Sequence, residues 1–130
     1  MTYDVIIIGG GQAGAMLAIT LRQQKYSGSI LLINDENYLP YQRPPLSKNF
    51  LTHSTSIESL YFKSSDYYKK NSVDILLNSP VTSIKRYNKS IEVKNGEKFH
   101  YKKLVIANGS KLNKLDFDNN TKGTYYLKNI

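Results

Sequence analysis

The sequence predicts an α/β fold with a parallel sheet that is extended by an antiparallel β-meander. Three observations carry this prediction. A β-branched apolar run near the start stops at three consecutive glycines, a segment with helical periodicity follows directly, and the second half of the chain contains short alternating segments. With 130 residues, of which 40% are hydrophobic, the chain has the size and apolar content of one domain or of a large part of one.

The first third of the chain is patterned as a strand, a helix and a second strand. Residues 3–8 form a compact β-branched strand, residues 13–24 carry apolar side chains at helical spacing, and residues 30–33 form a second apolar run. Because such a unit packs back on itself with a right-handed crossover, the two strands should be parallel neighbours.

Prolines interrupt regular structure after the second strand, and a short helix is predicted at residues 46–51. Ser64 and Ser65 are suitable caps for another short helix at residues 66–70. The apolar run at residues 73–77 then predicts a third parallel strand.

The pattern changes to an antiparallel meander after that strand. Its predicted segments are residues 81–85, 90–94 and 98–103. Asn95 and Gly96 predict a type I′ hairpin between the last two segments, because both residue types tolerate positive φ. A further core strand at residues 104–107 should end at Gly109, and residues 110–120 are polar and loop-like.

Composition excludes several classes of site. The chain has no cysteine, so it supplies no disulfide, no thiolate metal site and no catalytic thiol. The purely apolar run at residues 5–8 is short and close to the start, which leaves no room for a signal peptide or a spanning helix and predicts a cytoplasmic protein. The formal charge is +8, but the lysines are scattered, so no nucleic-acid site is predicted. A solvated surface and attraction for an acidic protein partner both remain open.

Gly9, Gly11 and Gly14 form a G-x-G-x-x-G motif at the turn between the first strand and the helix. Gly9 permits the sharp turn, Gly11 lets the backbone approach a pyrophosphate, and Gly14 lets the helix pack closely on the sheet. The helix amino terminus offers N–H groups and a positive dipole end to phosphates. The context of strand, turn and helix predicts a Rossmann-like dinucleotide site, with a glycine-rich turn that binds no ligand as the alternative.

Two acids follow the second strand, where a dinucleotide site needs an acceptor for the adenosine ribose. Asp35 and Glu36 are both candidates for this hydrogen bond. NAD sites and FAD sites share these features, so a second motif is needed to separate them.

Residues 40–48 read P-Y-Q-R-P-P-L-S-K, which resembles the signature of FAD-dependent ferredoxin reductases. The resemblance extends over nearly the whole chain, from the opening strand and its glycines to Tyr126 and Leu127. Two positions depart from the family pattern. Asn108 stands where the family usually has threonine, and Lys128 stands where it usually has arginine, which keeps a charge but loses the planar guanidinium fork.

The resemblance implies FAD as the cofactor and assigns a set of cofactor-binding residues. Ala13 and Asp35 would contact the pyrophosphate and ribose, Val81 the adenine, and Lys48 the isoalloxazine ring. Arg43 and the adjoining prolines would shape the pocket around the flavin. No residue of this chain is given a catalytic or metal-binding role. The implied cofactor-binding residues are Gly9, Gly11, Gln12, Ala13, Gly14, Asp35, Glu36, Arg43, Pro44, Lys48, Val81, Ala107, Gly109 and Lys128.

The resemblance also implies a function. The chain would be the FAD-binding portion of an oxidoreductase that takes electrons from NADH or NADPH and passes them to an acidic iron–sulfur protein, a ferredoxin or rubredoxin. Residues 1–109 would be the first segment of the FAD-binding domain, and residues 110–130 a connecting tail toward a missing NAD-binding domain, so the fold would be incomplete at its C-terminus. A truncated non-catalytic remnant and a stand-alone nucleotide-binding module are the alternatives.

Overall fold

A computed structural model describes residues 1–113 and 122–130. Within these residues the chain forms one six-stranded sheet and two α-helices. The elements are β1 Thr2–Ile8, α1 Gln12–Gln23, β2 Ile30–Ile33, α2 Ser65–Lys70, β3 Val73–Leu76, β4 Val81–Lys85, β5 Ser90–Val93 and β6 Lys98–Ile106. The predicted α/β class, the parallel sheet and the meander are all confirmed.

The strands follow the order β3-β2-β1-β6-β5-β4. β1 lies at the centre of the parallel part and pairs with β2 on one side and β6 on the other. The antiparallel pairs are β4 with β5 and β5 with β6. The connection from β1 through α1 to β2 is the predicted crossover unit, because the two strands are parallel neighbours.

β6 corrects one sequence prediction. Residues 98–103 and 104–107 were expected as two strands, but Lys98–Ile106 is a single strand of 9 residues. One edge pairs antiparallel with β5, with His100 opposite Ser90. The other edge pairs parallel with β1 from Thr2 to Ile8. The strand stays continuous because it joins the meander to the parallel sheet, a long-range role that alternation cannot reveal.

The hairpin between β5 and β6 has a different turn from the predicted type I′. Only Gly96 has positive φ, at +90°, whereas Asn95 does not. The Val93 N–H donates to the Glu97 carbonyl at 3.0 Å, which leaves a three-residue loop, and the Asn95 Oδ1 accepts from the Glu97 N–H at 2.9 Å. A three-residue loop with glycine in the left-handed position needs only one residue at positive φ.

The predicted helix at residues 46–51 is wrong. A single 3-10 turn, Pro44–Ser47, occupies its start. Lys48 then leaves helical geometry, with φ −130° and ψ −117°, and its N–H donates to the Pro45 carbonyl three residues back. At α2 the prediction holds, since the Ser64 side chain accepts from the Tyr67 N–H and caps the helix.

Apolar side chains pack on both faces of the parallel strands. Val5 and Ile7 lie on the face that packs against α1 and α2, together with Ile30 and Leu32 of β2. Ile6 lies on the opposite face, in a cluster with residues of the meander. All four residues of β2 are therefore buried, which explains why its sequence is an uninterrupted apolar run rather than an alternating one.

Tyr68 carries a prediction about stability. Its side chain is 2% exposed, and its hydroxyl has no hydrogen-bond partner among the described residues. Burial raises its pKa to about 12. Tyr68→Phe should raise the free energy of unfolding by about 1 kcal/mol, because a desolvated and unpaired hydroxyl is removed. Urea unfolding measures this free energy. Tyr41→Phe is the control, because the buried Tyr41 hydroxyl donates to Glu36, so its removal should lower the free energy of unfolding. A loss of stability in Tyr68→Phe would contradict the prediction.

Asp4 should titrate far below an ordinary aspartate. A hydrogen bond from Lys102, with further hydrogen bonds from the Ser29 backbone and side chain, lowers the pKa of Asp4 to about 2. Because the folded pKa is depressed, the stabilising contribution is present above the unfolded value of about 4 and is lost as the pH falls toward 2. An NMR titration should place the midpoint near pH 2, and Lys102→Ala should raise it. A midpoint near 4 in the unmodified chain would refute this.

Neither helix in the described ranges is long and apolar enough to cross a membrane.

Candidate functional site

A cleft of about 800 Å³ opens at the carboxyl ends of β1, β2 and β6. In the sheet, the chain leaves β1 through α1 to reach β2 on one side of β1, whereas β6 lies on the opposite side of β1. Crevices at such a reversal of strand order are the usual ligand sites of open α/β sheets. The lining consists of residues 8–13, 33–36, 43, 79–84, 106–111, 128 and 129.

The three motif glycines have different surroundings. Gly9 has φ +112°, and a Cβ placed there would lie 2.6 Å from the carbonyl carbon of Ala107. A Cβ at Gly14 would overlap the Gly9 carbonyl oxygen. At Gly11, by contrast, a Cβ would meet nothing within 4 Å. Gly9 and Gly14 are thus required by the packing of the turn itself, whereas Gly11 borders open space in the cleft.

The amino terminus of α1 faces this open space. Gly11 is the N-cap residue and supplies no side-chain cap, and the first turn of the helix contains no acidic residue. The first N–H groups of a helix have no intrahelical acceptor. Gln12 and Ala13 line the cleft, so the glycine turn and this helix end can accept an anion such as a pyrophosphate. The residues present therefore fit a dinucleotide.

Asn34 holds the glycine turn against the end of β2, a role that sequence reasoning missed. Its side chain is buried, its Oδ1 accepts from the Gly10 N–H at 3.3 Å, and its Nδ2 donates to the Tyr38 carbonyl at 3.0 Å. A Cβ at Gly10 would lie 2.7 Å from this Nδ2. In the sequence, this role is indicated by an asparagine that directly follows a buried apolar strand.

The two candidate acids differ in what they contact. Asp35 is exposed, lines the cleft and has no hydrogen bond or ion pair within the described part of the chain. Glu36 is partly buried and has both oxygens engaged: Oε2 accepts from the Tyr41 hydroxyl at 2.6 Å, and Oε1 lies 2.5 Å from Nη2 of Arg43. Asp35 is therefore the acid that can accept hydrogen bonds from a ligand in the cleft.

Arg43 connects Glu36 to the end of the chain. Its Nη1 donates to the Lys128 carbonyl at 2.6 Å, and its guanidinium carbon lies 5.3 Å from the centre of the Tyr41 ring. The Tyr41 hydroxyl accepts from the Ile130 N–H at 3.3 Å. Burial, followed by the hydrogen bond to Glu36, raises the pKa of Tyr41 to about 12. The segment 128–130 thus lies against the wall of the cleft.

The remaining predicted site residues fall into two groups. Val81, Ala107 and Gly109 line the cleft, and Gly109 has φ +65°. Pro44 and Lys48 do not line it. Both are exposed, at the start and just beyond the end of the 3-10 turn. The structure therefore brings most of the predicted residues to the cleft, whereas Gly14, Pro44 and Lys48 do not line it.

Several polar cleft residues were not among the predicted site residues. They come from the loop before β4, from β4 itself and from the chain after β6: Ser79, Thr82, Ser83, Asn108, Ser110 and Lys111. The described residues contain no group of three or more His, Asp or Glu side chains that could hold a metal ion.

Comparison with known proteins identifies the family. Residues 3–130 match the pyridine nucleotide-disulphide oxidoreductase family. The chain is 38% identical over 127 residues to a rubredoxin-NAD(+) reductase of Pseudomonas putida, covering 97% of this chain and 33% of the relative. It is 40% identical over 106 residues to the ferredoxin-NAD(+) reductase component of a 3-phenylpropionate/cinnamic acid dioxygenase of Photorhabdus laumondii, covering 82% of this chain and 27% of the relative.

Solved structures agree with these sequence relatives. A chain in the crystal structure of a covalent putidaredoxin reductase–putidaredoxin complex superposes with a TM-score of 0.83 at 33% identity, over 88% of this chain and 27% of that one. The NADH:rubredoxin oxidoreductase of Clostridium acetobutylicum gives 0.80 at 36% identity, over 88% and 30%. The chain belongs to the pyridine nucleotide-disulphide oxidoreductase family and spans about a third of the length of these curated relatives. The predicted resemblance to ferredoxin reductases is confirmed.

Proposed function

We propose that this member of the pyridine nucleotide-disulphide oxidoreductase family is the FAD-binding part of an NAD(P)H-dependent reductase that delivers electrons to a ferredoxin or rubredoxin. The observation that carries the proposal is the open space at Gly11, bordered by the amino terminus of α1 and by the exposed Asp35. A pyrophosphate needs open space beside free N–H groups at a helix amino terminus, and a ribose needs an acceptor such as the Asp35 carboxylate.

The residues of the cleft have distinct tasks in this proposal. The N–H groups at the start of α1 bind the pyrophosphate, Asp35 accepts from the ribose hydroxyls, and Val81 borders the adenine. Ala107 and Gly109 form the wall after β6. When bound at these residues, FAD would supply the redox chemistry, which in such enzymes is hydride acceptance from NAD(P)H and release of single electrons. The chain contributes binding, orientation and electrostatics, and since it has no cysteine, it offers no thiol for electron transfer.

The proposed partner is an acidic iron–sulfur protein, which the formal charge of +8 would attract. The names of the relatives support this choice, because they refer to rubredoxin and ferredoxin. We further propose a cytoplasmic location, with residues 1–109 as the first FAD-binding segment and residues 110–130 as the connection to an NAD-binding domain.

The proposal is tested by purifying the protein, removing free nucleotide by gel filtration and recording the visible flavin absorption band. Stoichiometric FAD that copurifies or can be restored supports the proposal. A folded protein that binds neither FAD nor ADP would refute it and would favour the non-catalytic remnant.

Lys48 carries a prediction about the bound flavin. The resemblance assigns it to the isoalloxazine ring, where a cation stabilises the negative charge of the reduced flavin. Lys48→Met should leave FAD bound but lower its reduction potential by roughly tens of millivolts. A redox titration measures the potential, with Lys63→Met as the control, because Lys63 lies over the Tyr67 ring and the resemblance assigns it no contact with the flavin. An unchanged potential in Lys48→Met would place this lysine away from the flavin.

A further inference from the structure

Resting on the proposed function, we propose that Glu36 and Tyr41 are positioning residues of the dinucleotide site. They hold the Arg43 guanidinium at the cleft and, through it, fasten residues 128–130 to the cleft wall. Nucleotide binding and attachment of this segment are thereby coupled.

Glu36 is committed to contacts within the chain. Its side chain is 12% exposed, and each of its oxygens receives a donor, one from Tyr41 and one from Arg43. A carboxylate used in this way fixes the direction of a cation rather than accepting from a ligand. Asp35, its neighbour, has the opposite character, since it is exposed and has no partner in the described ranges.

Arg43 retains donors for a ligand. A guanidinium has five N–H groups, and those of Nη1 point to Lys128 and Tyr41 while one on Nη2 points to Glu36. The Nε–H and the second Nη2–H have no acceptor among residues 1–113 and 122–130. Because Arg43 lines the cleft, these two donors can serve a phosphate oxygen. Glu36 and Tyr41 hold the planar fork in place, so less conformational freedom is lost when an anion binds.

The same guanidinium holds the end of the described chain. Lys128 is held through its carbonyl by Arg43, and Ile130 through its N–H by Tyr41. Lys128 and Asn129 line the cleft, so the segment and the nucleotide share a wall. Coupling between two binding events is reciprocal. If the attached segment favours the nucleotide, the nucleotide must favour attachment of the segment.

The test compares ADP, which carries phosphates, with adenosine, which does not, on the full chain. Glu36→Gln keeps the size of the side chain and removes its charge, and Tyr41→Phe keeps the buried ring. Each should weaken ADP binding by about tenfold, the effect of one lost charge-assisted hydrogen bond, and change adenosine binding by less than about twofold. Asp35→Asn is the matched control, and it should weaken both ligands because both contain the ribose.

Hydrogen exchange at the Ile130 amide reports attachment of the segment. Glu36→Gln should accelerate this exchange although Glu36 does not contact Ile130, and ADP should slow it in the unmodified protein. Glu36→Asp, which keeps the charge, should recover part of the ADP affinity. A role limited to local packing would not give this rescue or separate ADP from adenosine.

The outcomes separate the two proposals. The proposed function stands if the unmodified protein binds ADP and Asp35→Asn weakens this binding. The positioning role is overturned if Glu36→Gln and Tyr41→Phe still bind ADP with normal affinity. It is also overturned if exchange of the Ile130 amide is unchanged in Glu36→Gln. If the unmodified protein binds no ADP, the proposed function fails and the coupling fails with it.

Discussion

Gly11→Val is expected to abolish FAD retention while leaving the fold intact. The Gly11 backbone has φ −73° and ψ −173°, an extended conformation that any residue adopts, and a Cβ there would meet no atom within 4 Å. The added side chain therefore enters the space that the proposed pyrophosphate occupies. We expect the free energy of unfolding to change by less than about 1 kcal/mol.

Flavin content after gel filtration and a thermal melt of the nucleotide-free protein measure the two parts of this prediction. Gly11→Ala should give an intermediate loss of affinity, because its single methyl group fills less of the space. Full flavin content in Gly11→Val would show that the pyrophosphate does not bind at this turn.

Gly14→Ala, in contrast to Gly11→Val, is expected to cause a large loss of stability. Replacing a glycine inside a helix by alanine ordinarily stabilises by about 1 kcal/mol. At Gly14 the new Cβ would overlap the carbonyl oxygen of Gly9, and backbone cannot move aside as a flexible side chain can. Either α1 or the turn must shift, so we expect the free energy of unfolding to fall by about 3 kcal/mol, as in overpacked cores.

Urea unfolding of nucleotide-free protein measures this loss, with Gly11→Ala as the matched control because its Cβ faces open space. Stability equal to or above that of the unmodified chain would show that α1 does not lie as close to the turn as described.

Sequence alone determined the features that depend on neighbouring residues. The β-branched run, the three glycines and the helical periodicity predicted β1, the turn and α1 to within about a residue, because local sterics decide these elements. Similarly, the residues 40–48 motif and the glycines carried the resemblance that the comparisons confirm.

Only the tertiary structure decided the features that depend on distant residues. Propensity could not show that residues 98–106 form one strand, since the reason is simultaneous pairing with β5 and β1. Nor could it separate Asp35 from Glu36, two adjacent acids at the end of one strand. What distinguishes them is that Glu36 accepts hydrogen bonds from Tyr41 and Arg43. Arg43 in turn donates to the carbonyl of Lys128, which lies 85 residues further along the chain. Hydrogen bonds over such a separation arise when the folded chain brings their groups together, so they leave no local pattern in the sequence.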